Sequence, residues 1–197
     1  MATYGGLRVF SSGLSSEPVV QGFKIAANQS EDMFKGDCVR MQADGTVTEG
    51  NADGDGVIVG VLNGVVYTNT DGERVWSNKY TDTLTGVDTI AQVITDPFQL
   101  YIIRAGNGSG ADSTLTYADV GSSMDFDVNN AGNSTTGLSG ILLENGTGAT
   151  TARARGVGLS DDDGSDPLTV IKTTTFTHAI VQLDPTPSMW LGVGIHT

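Results

Sequence analysis

Short apolar runs separated by turn residues make up most of the chain. The clearest run covers residues 57–62 and is followed by Asn63-Gly64, and the next run ends at Asp71-Gly72. Asn-Gly or Asp-Gly between two such runs is a strong signal for a β-hairpin, because a type I′ turn needs positive φ at both central positions. The pattern therefore predicts a three-stranded meander over residues 57–78.

Further strand signals lie on both sides of this meander. Residues 91–94 and 99–105 are separated by Asp96-Pro97, where the proline interrupts a strand ladder. Apolar residues at helical spacing do not persist for three turns, so we expect at most one short helix, near 117–120 or 30–34. The predicted fold class is all-β: an antiparallel β-barrel or sandwich with meander hairpins, an extended N-terminal arm and little helix.

Composition divides the chain into four segments. We predict an N-terminal arm over 1–21, a β-barrel-like domain over 22–105, a Gly-rich linker over 106–112 and a C-terminal β-rich region over 113–197. Two interpretations of the arm remain open: a disordered tail, or a segment that orders on a neighbouring subunit. In the second interpretation its apolar residues make the contact, and these are Tyr4, Leu7, Val9 and Phe10.

Charge limits the partners that the chain can have. It contains 197 residues, with 23 Asp and Glu against ten Lys and Arg, and its formal net charge is −13. A protein that binds a nucleic-acid duplex needs cations to neutralise phosphates, so we expect neither nucleic acid nor an anionic membrane as a partner. The sequence has no apolar run of signal-peptide or membrane-spanning length, so we expect synthesis in a cytoplasm without signal-directed export.

Residues that commonly carry chemistry are few and scattered. Cys38, His178 and His196 are the soft metal ligands, and no pair of them has metal-ligand spacing. A Cys38–His nucleophile pair has no supporting motif. Asp125 and Asp127 share one face of a predicted strand, where we expect both to be exposed. We therefore expect no enzymatic activity, no catalytic residue and no cofactor.

Residues 51–58 resemble the beginning of a calcium-binding loop. Asn51, Asp53 and Asp55 occupy ligand positions 1, 3 and 5, and Gly56 occupies position 6. Position 12, which requires a bidentate Glu, is Leu62. A surface Asp/Gly turn is therefore the preferred interpretation, and Asn51, Asp53 and Asp55 are the candidate ligands in the alternative.

Aromatic residues allow a second kind of binding function. Five of them could form a sugar-binding platform, and these are Tyr67, Trp76, Tyr80, Tyr101 and Trp190. Tyr67 and Trp76 lie across the predicted Asp71-Gly72 hairpin and could stack as a cross-strand pair. Burial in the core is the preferred interpretation, and a carbohydrate-binding or adhesive β-module is the alternative.

Several motifs resemble small structural proteins encoded among the head genes of tailed bacteriophages. That group has a Gly-Asp-x-Val strand, a Val-Gly-Val hairpin that ends in Tyr, an Asp-Pro strand, a Val-Gly segment, a Gly-x-Ser element and a final His. The matching residues here are 36–39, 59–67, 96–97, 120–121, 137–139 and His196. The resemblance runs from about residue 22 to the end, is best over 34–105, and weakens in the last third, where the acidic loop is long.

The resemblance implies a capsid decoration, or cement, protein. Members of this group bind the outer surface of the phage capsid, often as trimers at junctions between major capsid subunits. It therefore implies a structural virion protein with the major capsid protein as partner, self-association as a homotrimer, and a place on the capsid exterior after synthesis in the host cytoplasm. The alternatives are an adhesive β-module on a phage head fibre or tail, and a hydrolase with carboxylate or calcium chemistry.

Overall fold

The structure is a computed structural model that describes residues 5–11, 18–26, 29–52, 57–81, 84, 87–144, 152–160 and 176–183. The expectation of an all-β fold is confirmed, since the described residues form strands, connecting loops and one 3-10 helix, Tyr117–Asp119. No described helix is long and apolar enough to cross a membrane. The strands are β1 (Arg8–Ser11), β2 (Val20–Lys24), β3 (Met33–Phe34), β4 (Cys38–Met41), β5 (Val47–Glu49), β6 (Ile58–Thr68), β7 (Arg74–Ser77), β8 (Lys79–Tyr80), β9 (Val87–Ile94), β10 (Leu100–Gly106), β11 (Ser123–Met124), β12 (Phe126–Asp127), β13 (Leu142–Glu144), β14 (Ala154–Ser160) and β15 (His178–Leu183).

Two larger sheets organise these strands. The first has the order β11-β14-β15-β10-β13-β12, and β1 also pairs with β10. The second has the order β2-β9-β6-β4-β5, and β7 also pairs with β6. A parallel bridge between Ile25 and Val47 joins the end of β2 to β5, so that the second sheet nearly closes into a barrel. Strands β3 and β8 form a separate two-stranded ladder.

The second of the two predicted hairpins is confirmed. Strands β6 and β7 pair antiparallel around Asp71-Gly72, and Gly72 has φ +82°. The Oδ1 of Asn69 accepts hydrogen bonds from the backbone amides of Asp71 (3.0 Å) and Glu73 (2.8 Å). An Asn side chain that caps the turn amides in this way stabilises the reversal of the chain.

The first predicted hairpin is wrong. Strand β6 continues through Asn63 and Gly64 for eleven residues, and its pairing with β9 shifts register between Leu62 and Gly64. The dipeptide therefore forms a β-bulge, in which a Gly with φ +151° takes up the irregularity. Strand β9 pairs with one edge of β6, while β4 and then β7 pair with the other edge, and these partners hold the strand extended.

Two hydrophobic cores lie within the described chain. The larger core joins the two sheets, and it includes Cys38 and Ile58 from before residue 106 and Leu143 and Phe176 from after residue 112. The smaller core lies inside the second sheet. Residues 106–112 close on themselves through a bridge between Gly106 and Asp112. The predicted division into four segments stays a prediction. The larger core contains residues from both sides of the predicted linker.

Candidate functional site

A buried carboxylate lies where the two halves of the chain meet. Asp37 is 3 % exposed and precedes β4. Its Oδ1 accepts a hydrogen bond from Ser139 Oγ (2.6 Å), and its Oδ2 accepts one from the Phe34 amide (2.6 Å). Burial raises the pKa of Asp37, and the hydrogen bonds from Ser139, Phe34 and the Asn51 side chain lower it only in part, so the net pKa is above its ordinary value.

Backbone hydrogen bonds tie three distant segments together around this carboxylate. The Gly6 amide donates to the Ile141 carbonyl (2.7 Å), and the Leu7 amide donates to the Gly36 carbonyl (3.0 Å). The Ser139 amide donates to the Lys35 carbonyl (3.0 Å). We call residues 5–7, 35–37 and 137–141 the junction. Polar groups of the junction form hydrogen bonds with one another, so the junction is a structural element of the fold.

Glycines allow the three segments of the junction to approach one another. A Cβ on Gly5 would lie 2.5 Å from the Gly140 carbonyl carbon, and one on Gly6 would lie 2.6 Å from Ser139 Cβ. A Cβ on Gly140 would lie 2.6 Å from the Asn130 carbonyl oxygen and closer still to that of Ala131. Backbones at these separations leave no room for side chains, so glycine is required for the packing.

A cleft of about 780 Å³ opens beside the junction. Its walls come from residues 30–52 and 128–141, and they combine apolar side chains with four carboxylates and one cation, which are Glu31, Asp32, Asp37, Glu49 and Arg40. Within the described ranges no group of three or more His, Cys, Asp or Glu side chains can hold a metal ion. The lining makes the cleft a mixed polar and apolar surface.

The predicted arm residues do not share one environment. Leu7 is buried in the larger core, and β1 pairs antiparallel with β10 of the same chain. Val9 is exposed and Phe10 is partly exposed. Tyr4 lies outside the described residues. A contact with another subunit through this segment stays a prediction, and of the candidate residues that the structure describes, Val9 and Phe10 present apolar surface for it.

Asn51, from the calcium-like motif, takes part in hydrogen bonds within the fold. It is buried, and its side-chain Oδ1 accepts a hydrogen bond from the Cys38 backbone amide (2.7 Å). Its own backbone amide donates to Glu49 Oε1 (2.9 Å). Asp53 and Asp55 lie outside the described residues, so cation binding by this loop stays a prediction.

Cys38 and His178 occupy different environments in the described structure, one in the larger core and one partly exposed on β15. Cys38 is fully buried in the larger core, and burial raises the pKa of its thiol well above the ordinary value, against a smaller opposing effect of Arg153. His178 lies on β15, with its Nδ1 3.0 Å from Thr177 Oγ1. His196 lies outside the described residues. A buried neutral thiol has the character of a core residue.

The expectation that Asp125 and Asp127 are exposed is wrong, because both are buried. The Oδ2 of Asp127 accepts a hydrogen bond from the Gly110 amide (2.8 Å), and its Oδ1 accepts one from the Asn129 amide (3.0 Å). Burial raises the pKa of Asp127, but the hydrogen bonds from Gly110, Asn129 and Gly108 together outweigh it and lower the pKa below its ordinary value. Asp127 thus fastens the loop 107–111 to the strand β12.

Trp76 is half exposed, which contradicts its preferred assignment to the core. Its exposed fraction is 49 %, and in the β6–β7 ladder it pairs with Val66, while Tyr67 pairs with Val75. A Cβ on Gly64 would lie 2.5 Å from the indole Cζ2. The indole therefore lies against the backbone of the bulge, with much of its surface open to solvent. Trp190 lies outside the described residues.

Comparisons with known proteins found no matching family model, no similar curated protein and no similar solved structure. The structural contacts that sequence patterns missed are the Asp37–Ser139 hydrogen bond and the hydrogen bond from Gly110 to Asp127. A Gly-Asp step followed by a strand was visible at residues 36–37. Its partner at residue 139 carried no sequence signal, because the contact depends on how the two halves pack.

Proposed function

We propose that the protein is a structural virion protein that binds the outer surface of a tailed-phage capsid and stabilises contacts between major capsid subunits. The observation that carries this proposal is a group of exposed apolar side chains around one turn of the fold. The group consists of Val9, Val19, Val20 and Phe98. We call it the turn surface.

Strand pairing places these residues on segments that adjoin the turn between β9 and β10. Val20 at the start of β2 pairs with Ile94, the last residue of β9. Val9 in β1 pairs with Tyr101, near the start of β10. Phe98 lies in the turn between β9 and β10. Exposed apolar residues gathered from three segments are typical of a protein–protein contact, whereas single exposed residues are ordinary.

The charge of the chain supports a place on the outside of a particle. A net charge of −13 disfavours binding to packaged nucleic acid and keeps particles that carry many copies from associating. Apolar contacts are the complementary means of attachment for such a chain, because they do not depend on a basic partner surface.

Multivalency accounts for how a small surface could hold a capsid together. Several copies, or one homotrimer, would contact adjacent capsid subunits at the same time. Once one contact has formed, the others act at high effective concentration, so individually weak contacts give strong overall attachment. The proposed partner is therefore the major capsid protein, and the proposed assembly is a homotrimer.

Capsids that lack this protein test the proposal. Purified protein is mixed with capsids of the encoding phage made without it, and binding is measured by co-sedimentation while capsid stability is followed as DNA release on heating. We expect saturable binding and a higher release temperature. Absence of binding together with unchanged release would refute the proposal.

A matched pair of variants locates the contact. Val19 and Val157 have the same exposed fraction, 46 %, but Val157 lies on β14, away from the turn surface. Val19→Ser should weaken capsid binding, and Val157→Ser should leave it unchanged. Equal effects of the two substitutions would place the contact elsewhere on the protein.

The exposed indole of Trp76 favours a second candidate function, a carbohydrate-binding or adhesive module. An indole open on one side and backed by the Gly64 backbone could stack against a sugar ring. Titration with host surface polysaccharide should then change the fluorescence of Trp76 in a Trp190→Phe background, and Trp76→Ala should abolish binding. Unchanged fluorescence at saturating polysaccharide would exclude this function for Trp76.

A further inference from the structure

In the part of the chain that the structure describes, no strand pairs with the outer edge of β2 in the second sheet. Among the described strands β2 pairs only with β9, and four of its five residues are exposed, the fifth being partly buried. A strand at the end of a sheet presents unpaired amide and carbonyl groups, which can bind an additional strand.

The pairing register identifies the open groups. Val19 and Thr95 lie opposite each other and are hydrogen bonded, since the Thr95 amide donates to the Val19 carbonyl (2.9 Å). Hydrogen-bonded and non-bonded pairs alternate along an antiparallel ladder. The amides and carbonyls of Val20, Gly22 and Lys24 therefore point away from β9.

The open stretch ends at the bridge to β5. The Ala26 amide, which follows the same alternation, donates to the Val47 carbonyl (2.9 Å). Strand β5 thus pairs with this edge after Lys24, and no described residue pairs with the groups from Val20 to the Lys24 amide. A strand of three to five residues from another molecule has the right length for this gap.

We propose that the open edge of β2 accepts an extended segment of the major capsid protein as an added strand. This inference rests on the proposed function and specifies the contact through which it acts. Lys24 carries the only charge on β2, and Val20 at the other end is apolar. The docked segment should therefore carry a carboxylate side chain opposite Lys24 and an apolar side chain opposite Val20.

A second copy of the chain fits this edge poorly. The antiparallel register that uses all three open residues sets Gly22 opposite Gly22 of the other copy and Val20 opposite Lys24. Each apolar side chain would then face a cation, and two chains of charge −13 would be brought together. These pairings disfavour self-association at this edge, and the Lys24 charge favours a partner segment that carries a carboxylate opposite it.

Hydrogen exchange gives the direct test. When wild-type protein binds capsids made without it, the peptide covering residues 18–26 should gain protection at three amides: Val20, Gly22 and Lys24. The amides of Gln21 and Phe23 point toward β9 and should already be protected in the free protein. Capsid binding with unchanged exchange in this peptide would overturn the edge inference while leaving the proposed function standing.

Two pairs of variants separate the backbone contact from the side chains. Val20→Pro removes an amide that points away from β9, at a strand start where proline is tolerated, and Val20→Ile keeps both that amide and an apolar, β-branched side chain. We expect Val20→Pro to weaken capsid binding about tenfold and Val20→Ile to bind normally. Lys24→Glu should also weaken binding, whereas Arg155→Glu, at an exposed residue on β14, should not.

The outcomes are distinguishable. If wild-type protein does not bind capsids, the proposed function fails. If it binds and all four variants bind equally well, only the edge inference fails. If Val20→Pro lowers the molecular mass of the free protein in sedimentation, the edge is filled by a second copy and the capsid-strand inference is overturned. If Val20→Pro unfolds in urea more readily than Val20→Ile, the comparison of Lys24→Glu with Arg155→Glu decides whether the edge inference stands.

Discussion

Ser139 Oγ donates a hydrogen bond to Asp37 Oδ1 at 2.6 Å, although the two residues are 102 positions apart in the sequence. Both residues are buried, and the same carboxylate also accepts a bond from the Phe34 amide. A buried carboxylate depends on such donors, because it has lost its hydration. The bond therefore couples the packing of the two halves to the ionisation of one side chain.

Ser139→Ala should destabilise the fold by about 1–3 kcal/mol, because it removes a donor from a buried acceptor. It should also raise the pKa of Asp37 further, since the Ser139 hydrogen bond lowers that pKa. Urea denaturation at several pH values measures both effects. Ser134→Ala, at an exposed serine that lines the neighbouring cleft, is the control and should be close to neutral.

Asp37 should make the protein more stable as pH falls toward the ordinary Asp pKa of 3.8. Because the folded-state pKa is raised, folded protein binds a proton that the unfolded chain has released between these two pKa values. The free energy of unfolding therefore falls as pH rises through that window. In Asp37→Asn this contribution is absent, so the stability advantage of wild type over the variant should shrink with rising pH. An advantage that grows with rising pH would contradict the raised pKa.

Asp127 should show the opposite pH dependence. Its pKa is lowered below the ordinary value of 3.8, so its contribution is present above that value and is lost as pH falls through the folded-state pKa. Asp127→Asn should lose about 1–3 kcal/mol at neutral pH, because an amide cannot accept at both oxygen positions. Faster hydrogen exchange at Gly110 should accompany this loss. Equal stability of wild type and variant at pH 7 would show that the loop bonds contribute nothing.

Gly140→Ala should destabilise the protein by about 1–3 kcal/mol or more, because the new methyl group meets the backbone of Asn130 and Ala131. Gly158→Ala is the matched control. Its Cβ would lie 3.5 Å from the nearest atom, Ile180 Cδ1, which is an ordinary contact. Thermal unfolding should separate the two variants clearly. Similar melting temperatures would show that the junction can relax to admit a side chain.

Local patterns predicted much of the fold, and their failures have a common cause. Asp71-Gly72 formed the expected hairpin, because Asn69 supplies the capping acceptor within the same turn. Asn63-Gly64 has the same local signal, but strands far away in the sequence pair with both edges of β6 and keep it extended. Turn propensity is a local quantity, and strand partners override it.

At the candidate site, too, local sequence patterns could not reveal contacts between residues that are distant in the sequence. The pattern around Phe126 could not reveal the burial of Asp125 and Asp127, because the amide partner of Asp127 at Gly110 is distant in the sequence. Burial in the core was the preferred interpretation for Trp76, and its exposure follows from its position on β7, which pairs only with β6 among the described strands.

The position of β10 has a consequence for how the chain acquires its structure. β10 pairs with β1 from near the N-terminus and with β15, whose His178 lies opposite Arg104. During synthesis the first sheet therefore stays incomplete until the residues of β15 have left the ribosome. Proteins dominated by such distant pairings have high contact order and fold slowly, and unpaired strand edges favour aggregation in the meantime. Slow refolding and a yield that falls at high protein concentration are the expected signs.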